Sequence, residues 1–394
     1  MLMSGDSPTA LARPELLRWA RRSIGLEAHV AAGKAKVSVA SLESWESGDA
    51  APSVDELRRL AGVYRRPLAA LYLPRTPSDF DVMRDFRRLP GASSAAWTPE
   101  LHTEFRRALD QREVVLELLD LLEEDPPHAW AIPPGNSLDD TAANIRTAVL
   151  RSAVGRSASR NKYERLTCWT SGIEALGVLV ITVREVAVAE MRGFSILRDR
   201  VPIIAVNGKD APNGRVFSAL HEMAHLVLKT SGLCDQHVGE AGPMADRLLE
   251  TQCNAIAGRV LMPQSAVLGL AAVQTRPPEF EDWSDEALAS ITDAFGVSRE
   301  AALRRLLDLG RTTERHYQQR RAEWLSELAD RPEQTEGSPT FYEIHPTTMG
   351  KGFVRLVDRA RRAGAITGYE AASYLRARVG QIERLAAIAG GGAQ

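Results

Sequence analysis

The stretch Arg215–Leu228 reads RVFSALHEMAHLVL. Phe217, Leu220, Leu226 and Leu228 have the spacing of an apolar helix face, yet the segment also carries His221, Glu222 and His225. Two histidines four apart leave a helix on one side, one turn apart. A pair of neutral imidazoles converging in this way suits a tetrahedral zinc ion. Glu222 is offset between them, where its carboxylate can reach a water held by the metal without being a ligand, and so can act as general base. The pattern H-E-x-x-H is therefore a metallopeptidase signature, set against the plainer alternative of two histidines on an amphipathic helix.

A catalytic zinc takes three protein ligands and keeps one position open. Downstream, RLLETQCNAIAGRVLMP reads as a second long helix, and Glu250 is the best third ligand. Cys234 and His237 in GLCDQHVG are rivals, because thiolate and imidazole also bind zinc. Asn254, one turn beyond Glu250, is a candidate to accept a hydrogen bond from a ligating histidine and fix its tautomer. Cys253 reads as a small buried apolar residue. The intervening loop SGLCDQHVGEAGPMADR is the expected gate over the site. One Zn2+ per chain is expected, with manganese or iron left open because metal choice also follows availability.

Upstream, GVLVITVREV and PIIAVNG are short β-branched runs bounded by Gly, Pro and Asn, hence strands, and MRGFSI between them is a third. PIIAVNG is the expected sheet edge, on which a substrate would pair as an added strand. The rest of the chain is helical in pattern. The expected fold is mainly α with a small α+β core, an all-α N-terminal module and a helical C-terminal region. Expected divisions are a compact all-helical module at 1–75, a linker at 76–98, a helical lead-in at 99–165 and the core at 166–270. A helical support region at 271–330 and a C-terminal helical segment at 338–394 complete the chain.

Composition bounds the remaining choices. The 394 residues are 44% hydrophobic and 25% charged, as in ordinary globular proteins. The longest mid-chain apolar run, GVLVITV, is far too short for a bilayer, and the N-terminal residues lack a basic-then-apolar export pattern. Three widely spaced cysteines argue for a reduced compartment, so a cytoplasmic protein without membrane association is expected. Net charge is −2, which excludes a chain that coats nucleic acid along its whole length. The first 90 residues hold 14 basic and 11 acidic side chains, a weak lean toward an N-terminal nucleic-acid role. Arginine outnumbers lysine 43 to 6, the usage of a GC-rich bacterial genome.

RVFSALHEMAHLVL, GLCD and ETQCNAIAGRVLMP together resemble the ImmA/IrrE family of bacterial metallopeptidases, with its H-E-x-x-H, E-x-x-x-N and closing L-M-P. The resemblance implies that the α+β core is a small zincin-like (thermolysin-like) peptidase fold, with His221, His225 and Glu250 as ligands and Glu222 as general base. It also implies a regulatory peptidase that cuts a partner repressor. The spacing from Ala32 through Val37 and Ser38 to Leu42, Trp45, Glu46 and Gly48 resembles the XRE-type, lambda-repressor-like helix-turn-helix.

That second resemblance implies DNA contact by Lys34, Lys36, Ser38 and Ser41, and often a homodimer matched to two-fold operators. The helix that would read bases, however, holds no Arg, Lys, Asn or Gln to pair with them. Glu43 and Glu46 are expected to face phosphate unfavourably. Arg58, Arg59, Arg65 and Arg66 are expected to touch phosphates, and Lys36 stands where such turns prefer glycine. Double-stranded DNA and a docked protein partner both stay open for this module. The segment 287–310 resembles a further helix-turn-helix, with Arg299, Arg304 and Arg305 as solvated charges. His345 and Tyr342, in the C-terminal segment, are read as surface residues. The contrasting reading of the whole chain is a non-proteolytic helix-turn-helix regulator, antitoxin-like, that uses the zincin fold as a sensor or binding body.

Overall fold

The computed structural model describes residues 8–76, 98–151, 153, 155, 159, 161–229, 243–329 and 340–390. The chain divides into two compact units, residues 1–82 with 91–109, and residues 83–90 with 110–394.

The first unit opens with four helices: α1 (Pro14–Arg22), α2 (Ala28–Ala35), α3 (Val39–Ser47) and α4 (Val54–Val63). A 3-10 turn, Leu68–Tyr72, follows. Their apolar spacing brings Leu17, Ala20, Ile24, Leu42, Leu57, Leu60 and Leu71 into one core. Local signals set the boundaries. Ser38 caps α3 by accepting from the Ser41 amide at 3.0 Å. Ser53 and Glu56 form a reciprocal capping box on α4, at 2.8 and 3.3 Å. Lys36 ends α2 in the left-handed region, φ 55°, where glycine is usual.

Glu46 overturns one expectation. It is buried, not turned toward solvent, and its carboxylate takes two bonds from Arg21, Nε at 2.7 Å and Nη2 at 2.8 Å. That hydrogen-bonded pairing raises the Arg21 pKa against the opposing pull of burial. The arginines expected to meet phosphate are engaged as well. Arg59 donates to the Ala35 carbonyl, Arg66 to Ser23, Arg58 to Asp55 and Arg65 to Glu100. Arg59 and Arg66 thereby stabilise the module itself, whereas Arg58 and Arg65 stay exposed at its surface.

α5 (Pro99–Leu121) runs through the division into the second unit. There α6 (Leu138–Arg151) and α7 (Lys162–Ala175) lead to β1 (Leu179–Val183), β2 (Gly193–Ile196) and β3 (Ile203–Asn207). α8 (Pro212–Val227), the motif helix, and α9 (Pro243–Leu261) follow. The sheet order is β1-β3-β2, with β1 parallel to β3 and β2 antiparallel to it. All strand residues are buried, which is why their sequences are continuous apolar runs. PIIAVNG supplies β3, the central strand, so the expected edge is corrected: β1 and β2 are the two edges, and MRGFSI supplies β2. A right-handed crossover cannot be told from a hairpin return by apolar runs alone, since both faces of every strand are covered.

α8 packs on β2 and β3 and is itself flanked by α7 and α9, so its polar motif sits inside the unit. Proline at its first position suits a helix start, where no amide partner is lost. The end of α9 is fixed by two arginines: Arg146 donates to the Val260 carbonyl at 2.7 Å and Arg305 to the Met262 carbonyl at 3.0 Å. Arg305 is therefore not a solvated charge. It is 3% exposed and also reaches Asp139 at 3.3 Å.

Two short helices, α10 (Gln264–Leu268) and α11 (Ala271–Gln274), precede α12 (Asp285–Phe295), α13 (Arg299–Asp308) and α14 (Glu314–Ala329). The C-terminal region holds α15 (Phe341–Met349), α16 (Lys351–Arg362), α17 (Gly368–Tyr374) and α18 (Ile382–Ala389). α15 and α16 pack on β1. Gly350 joins them at φ +84°, and a Cβ there would stand 2.3 Å from the Val180 carbonyl, so only glycine allows this approach. Glu174 takes the Gly352 amide at 2.9 Å and Arg355 at 2.8 Å, tying the region to α7. His345 bonds the Leu375 carbonyl, and Arg384 covers Tyr342, so both side chains serve packing within these helices.

Candidate metal centre

α8 delivers His221 and His225 to one side as their spacing requires, with Nε2 atoms 3.1 Å apart and ring centroids 4.8 Å apart. α9 crosses them and brings Glu250. One carboxylate oxygen lies 3.2 Å from His221 Nε2, and the other lies 3.2 Å from His225 Nε2. Each of the three residues offers a ligand-type atom, all within 4.8 Å of one another. The two histidines are buried, whereas the Glu250 side chain is about a third exposed, so the opening is on the Glu250 side.

The electrostatics favour positive charge among these groups. Burial opposes charge on His225, but hydrogen bonds with Cys253 and Glu250 and the nearby Glu222 outweigh it and raise its pKa to about 12. Burial also works against ionised Glu250, and the two histidines override it, holding the carboxyl down at about 2.

Glu222 is 1% exposed. Ser195, on the edge strand β2, donates to its Oε2 at 2.9 Å. Two residues earlier on the same face of β2 lies Gly193, where a Cβ would come 3.0 Å from Oε1 and 3.3 Å from Cγ. The seat of Glu222 is thus shaped by β2. Neither residue was singled out from the sequence; their i, i+2 spacing in RGFSI was the available signal.

Asn254 is half-buried one turn past Glu250, and its side chain makes no hydrogen bond to described residues. Its neighbour Cys253, fully buried, is electrostatically coupled to His225, and burial pushes its thiol pKa up. Cys234, His237 and the expected gate up to residue 242 lie outside the described residues.

In the first unit, Lys34 and Lys36 are exposed beside α3. The Ser38 and Ser41 hydroxyls bond each other at 2.7 Å, and Ser38 is occupied by the helix cap. The outward residues of α3 are Val39, Ala40, Glu43 and Ser47.

Comparison with known families matches residues 173–307 to the IrrE N-terminal-like domain of a peptidase family, and residues 17–71 to a helix-turn-helix family. The chain joins a helix-turn-helix to an IrrE-like domain. No curated protein matches it. The IrrE-like match contains the edge strand β2, the whole of α8 and α9, and hence every residue of the cluster. It continues through α12 and nearly all of α13, whose Arg305 fixes the end of α9.

Proposed function

We propose that the protein is a zinc-dependent regulatory endopeptidase that hydrolyses a bond in a partner regulator, a repressor, in the cytoplasm. The observation that carries this reading is the convergence of His221, His225 and Glu250 beside a Glu222 held by its own strand residue. Two imidazole nitrogens and a carboxylate are a catalytic zinc donor set. Their spacing fits the ion: bonds of ~2.0–2.1 Å at a tetrahedral angle put ligand nitrogens about 3.3 Å apart, against 3.1 Å here. Bound there, zinc would supply Lewis-acid polarisation of a substrate carbonyl and acidify water.

The chain's own groups do the rest. Glu222 takes the proton from the attacking water and passes it to the leaving amine. Ser195 fixes which carboxylate oxygen faces the site, because its hydroxyl holds Oε2. Cys253 sets the orientation of His225, the role that Asn254 was expected to fill. The helix-turn-helix contributes DNA contact by phosphate binding through Lys34 and Lys36 more than by base reading, which the outward face of α3 supports by its lack of donors. Domain limits at 1–75, 166–270, 271–330 and 338–394 belong to the same reading.

The test compares newly formed protein N-termini in cells expressing the wild type or Glu222→Gln. A cleaved DNA-binding regulator present only with the wild type is expected. Identical N-termini, together with unchanged gene regulation, would leave the non-proteolytic regulator as the account.

A further inference from the structure

β3 ends at Asn207, and α8 begins five residues later at Pro212. In the first turn of α8, Arg215 is 7% exposed, and its guanidinium makes no hydrogen bond or ion pair to any described residue. Arginine keeps its charge in any protein environment. A buried charge without a partner is costly, so folded chains supply one. Among the described residues the chain does not.

The surroundings sharpen the point. Helical side chains lean toward the helix start, so Arg215 runs back to the loop 208–211. Arg184, directly after β1, lies across Gly208 of that loop: a Cβ on Gly208 would stand 3.1 Å from its Cγ. Its Nε donates to a neutral group, Thr348 Oγ1, at 3.1 Å. Arg184 is close enough to repel Arg215, and the Tyr163 phenol and Asp210 are close enough to attract it. Asp210, however, already accepts from Arg192 at 3.1 Å and from the Ala211 amide at 2.9 Å. Two arginines thus lie within electrostatic range of each other at the carboxyl ends of two parallel strands, and the Asp210 carboxylate, which sits over Gly214 in the first turn of α8, is held by Arg192 and the Ala211 amide. Open α/β sheets bind anions at such places.

We propose that Arg215 and Arg184 form a binding site for a phosphate-type oxyanion. A dianion compensates both cations, and its several acceptor oxygens match the fork of donors that each arginine presents. A monocarboxylate would leave one cation uncompensated. The peptidase chemistry proposed above uses neither arginine, so the site stands whether or not that reading does.

Thermal unfolding of the full chain at fixed ionic strength tests it, with inorganic phosphate, adenosine monophosphate or acetate added. Ligand that binds only the folded state raises Tm, by roughly 5 °C at a hundredfold excess over Kd. Phosphate or the nucleotide is expected to do this for the wild type and acetate is not. Equal potency of the two phosphates indicates free phosphate as the ligand, and tighter nucleotide binding indicates an organic phosphate. Arg215→Met should abolish the shift while leaving the phosphate-free Tm unchanged or higher, because an unpaired charge is removed. Arg184→Gln, at a half-buried position, should weaken phosphate binding about tenfold by removing a charged hydrogen-bond donor. Absence of a phosphate shift in the wild type, a shift that persists in Arg215→Met, or one that acetate reproduces would overturn the proposal. So would a lower phosphate-free Tm in Arg215→Met, which marks a structural arginine.

Discussion

α3 and α8 are both helices whose sequences point to a function, and they differ in where their charged neighbours are used. Around α3, Arg18, Arg21, Arg59 and Arg66 each bond the module's own backbone or side chains, and Glu46 is buried by Arg21. Around α8, the polar groups converge on one another. His221, His225 and Glu250 come within 3.2 Å, inside a core where apolar residues would pack more cheaply. A buried arginine tied to a helix end explains itself by stability. A cluster of two imidazoles and a carboxylate around one point is what the proposed cation would explain.

The contrast can be broken first at Glu222. Replacing it with Gln keeps the shape and the Ser195 contact but removes the base, and a general base contributes about 10²–10⁴ in rate. Cleavage of the partner regulator by purified protein should fall by that factor with zinc content unchanged; loss of zinc instead would make Glu222 a ligand. In the first unit the equivalent break is Arg21→Ala. Leaving Glu46 buried without its partner should cost about 3–5 kcal/mol, read as a shift in the urea midpoint of residues 1–109 by a probe such as Trp45. A change under about 1 kcal/mol would be the value of an exposed pair and would contradict the buried role assigned to Glu46.

A smaller effect is expected at Cys253. Groups that orient a metal-bound histidine are worth about 10–100-fold in affinity, so Cys253→Ala should weaken zinc binding in a chelator competition. Cys253→Ser, which keeps a hydrogen-bonding group, should restore most of it. Equal losses in both would point to packing alone. The smallest effect lies at α3. With two lysines available, log Kd for duplex DNA against log salt should have a slope of about 2, reduced by about 1 for Lys36→Ala. A slope several units steeper would show phosphate contacts beyond these two lysines.

What could be read from the sequence follows from locality. The i, i+4 histidines act within one turn, so their convergence was visible in advance. Glu250 was legible because a second helix bearing a carboxylate at the right distance is a short extension of the same logic. Ser195 and Gly193 were not, because they reach Glu222 from a strand 27 residues upstream of it for Ser195. Strand order was hidden for a related reason: β1 and β3 are covered on both faces, so neither shows an alternating pattern that marks an edge. Glu46 and Arg305 looked like surface charges because each lies next to exposed polar residues in sequence, and only their partners Arg21, Met262 and Asp139 reveal the burial.

The central claim is that α8 and α9 together make a metal centre. Metal content per chain, measured by mass spectrometry on the wild type, Glu222→Gln and His221→Ala after zinc is supplied and excess removed, tests it most directly. The account predicts one zinc per chain in the first two proteins and none in the third. A wild type that retains no zinc, or a His221→Ala protein that retains as much, would contradict it.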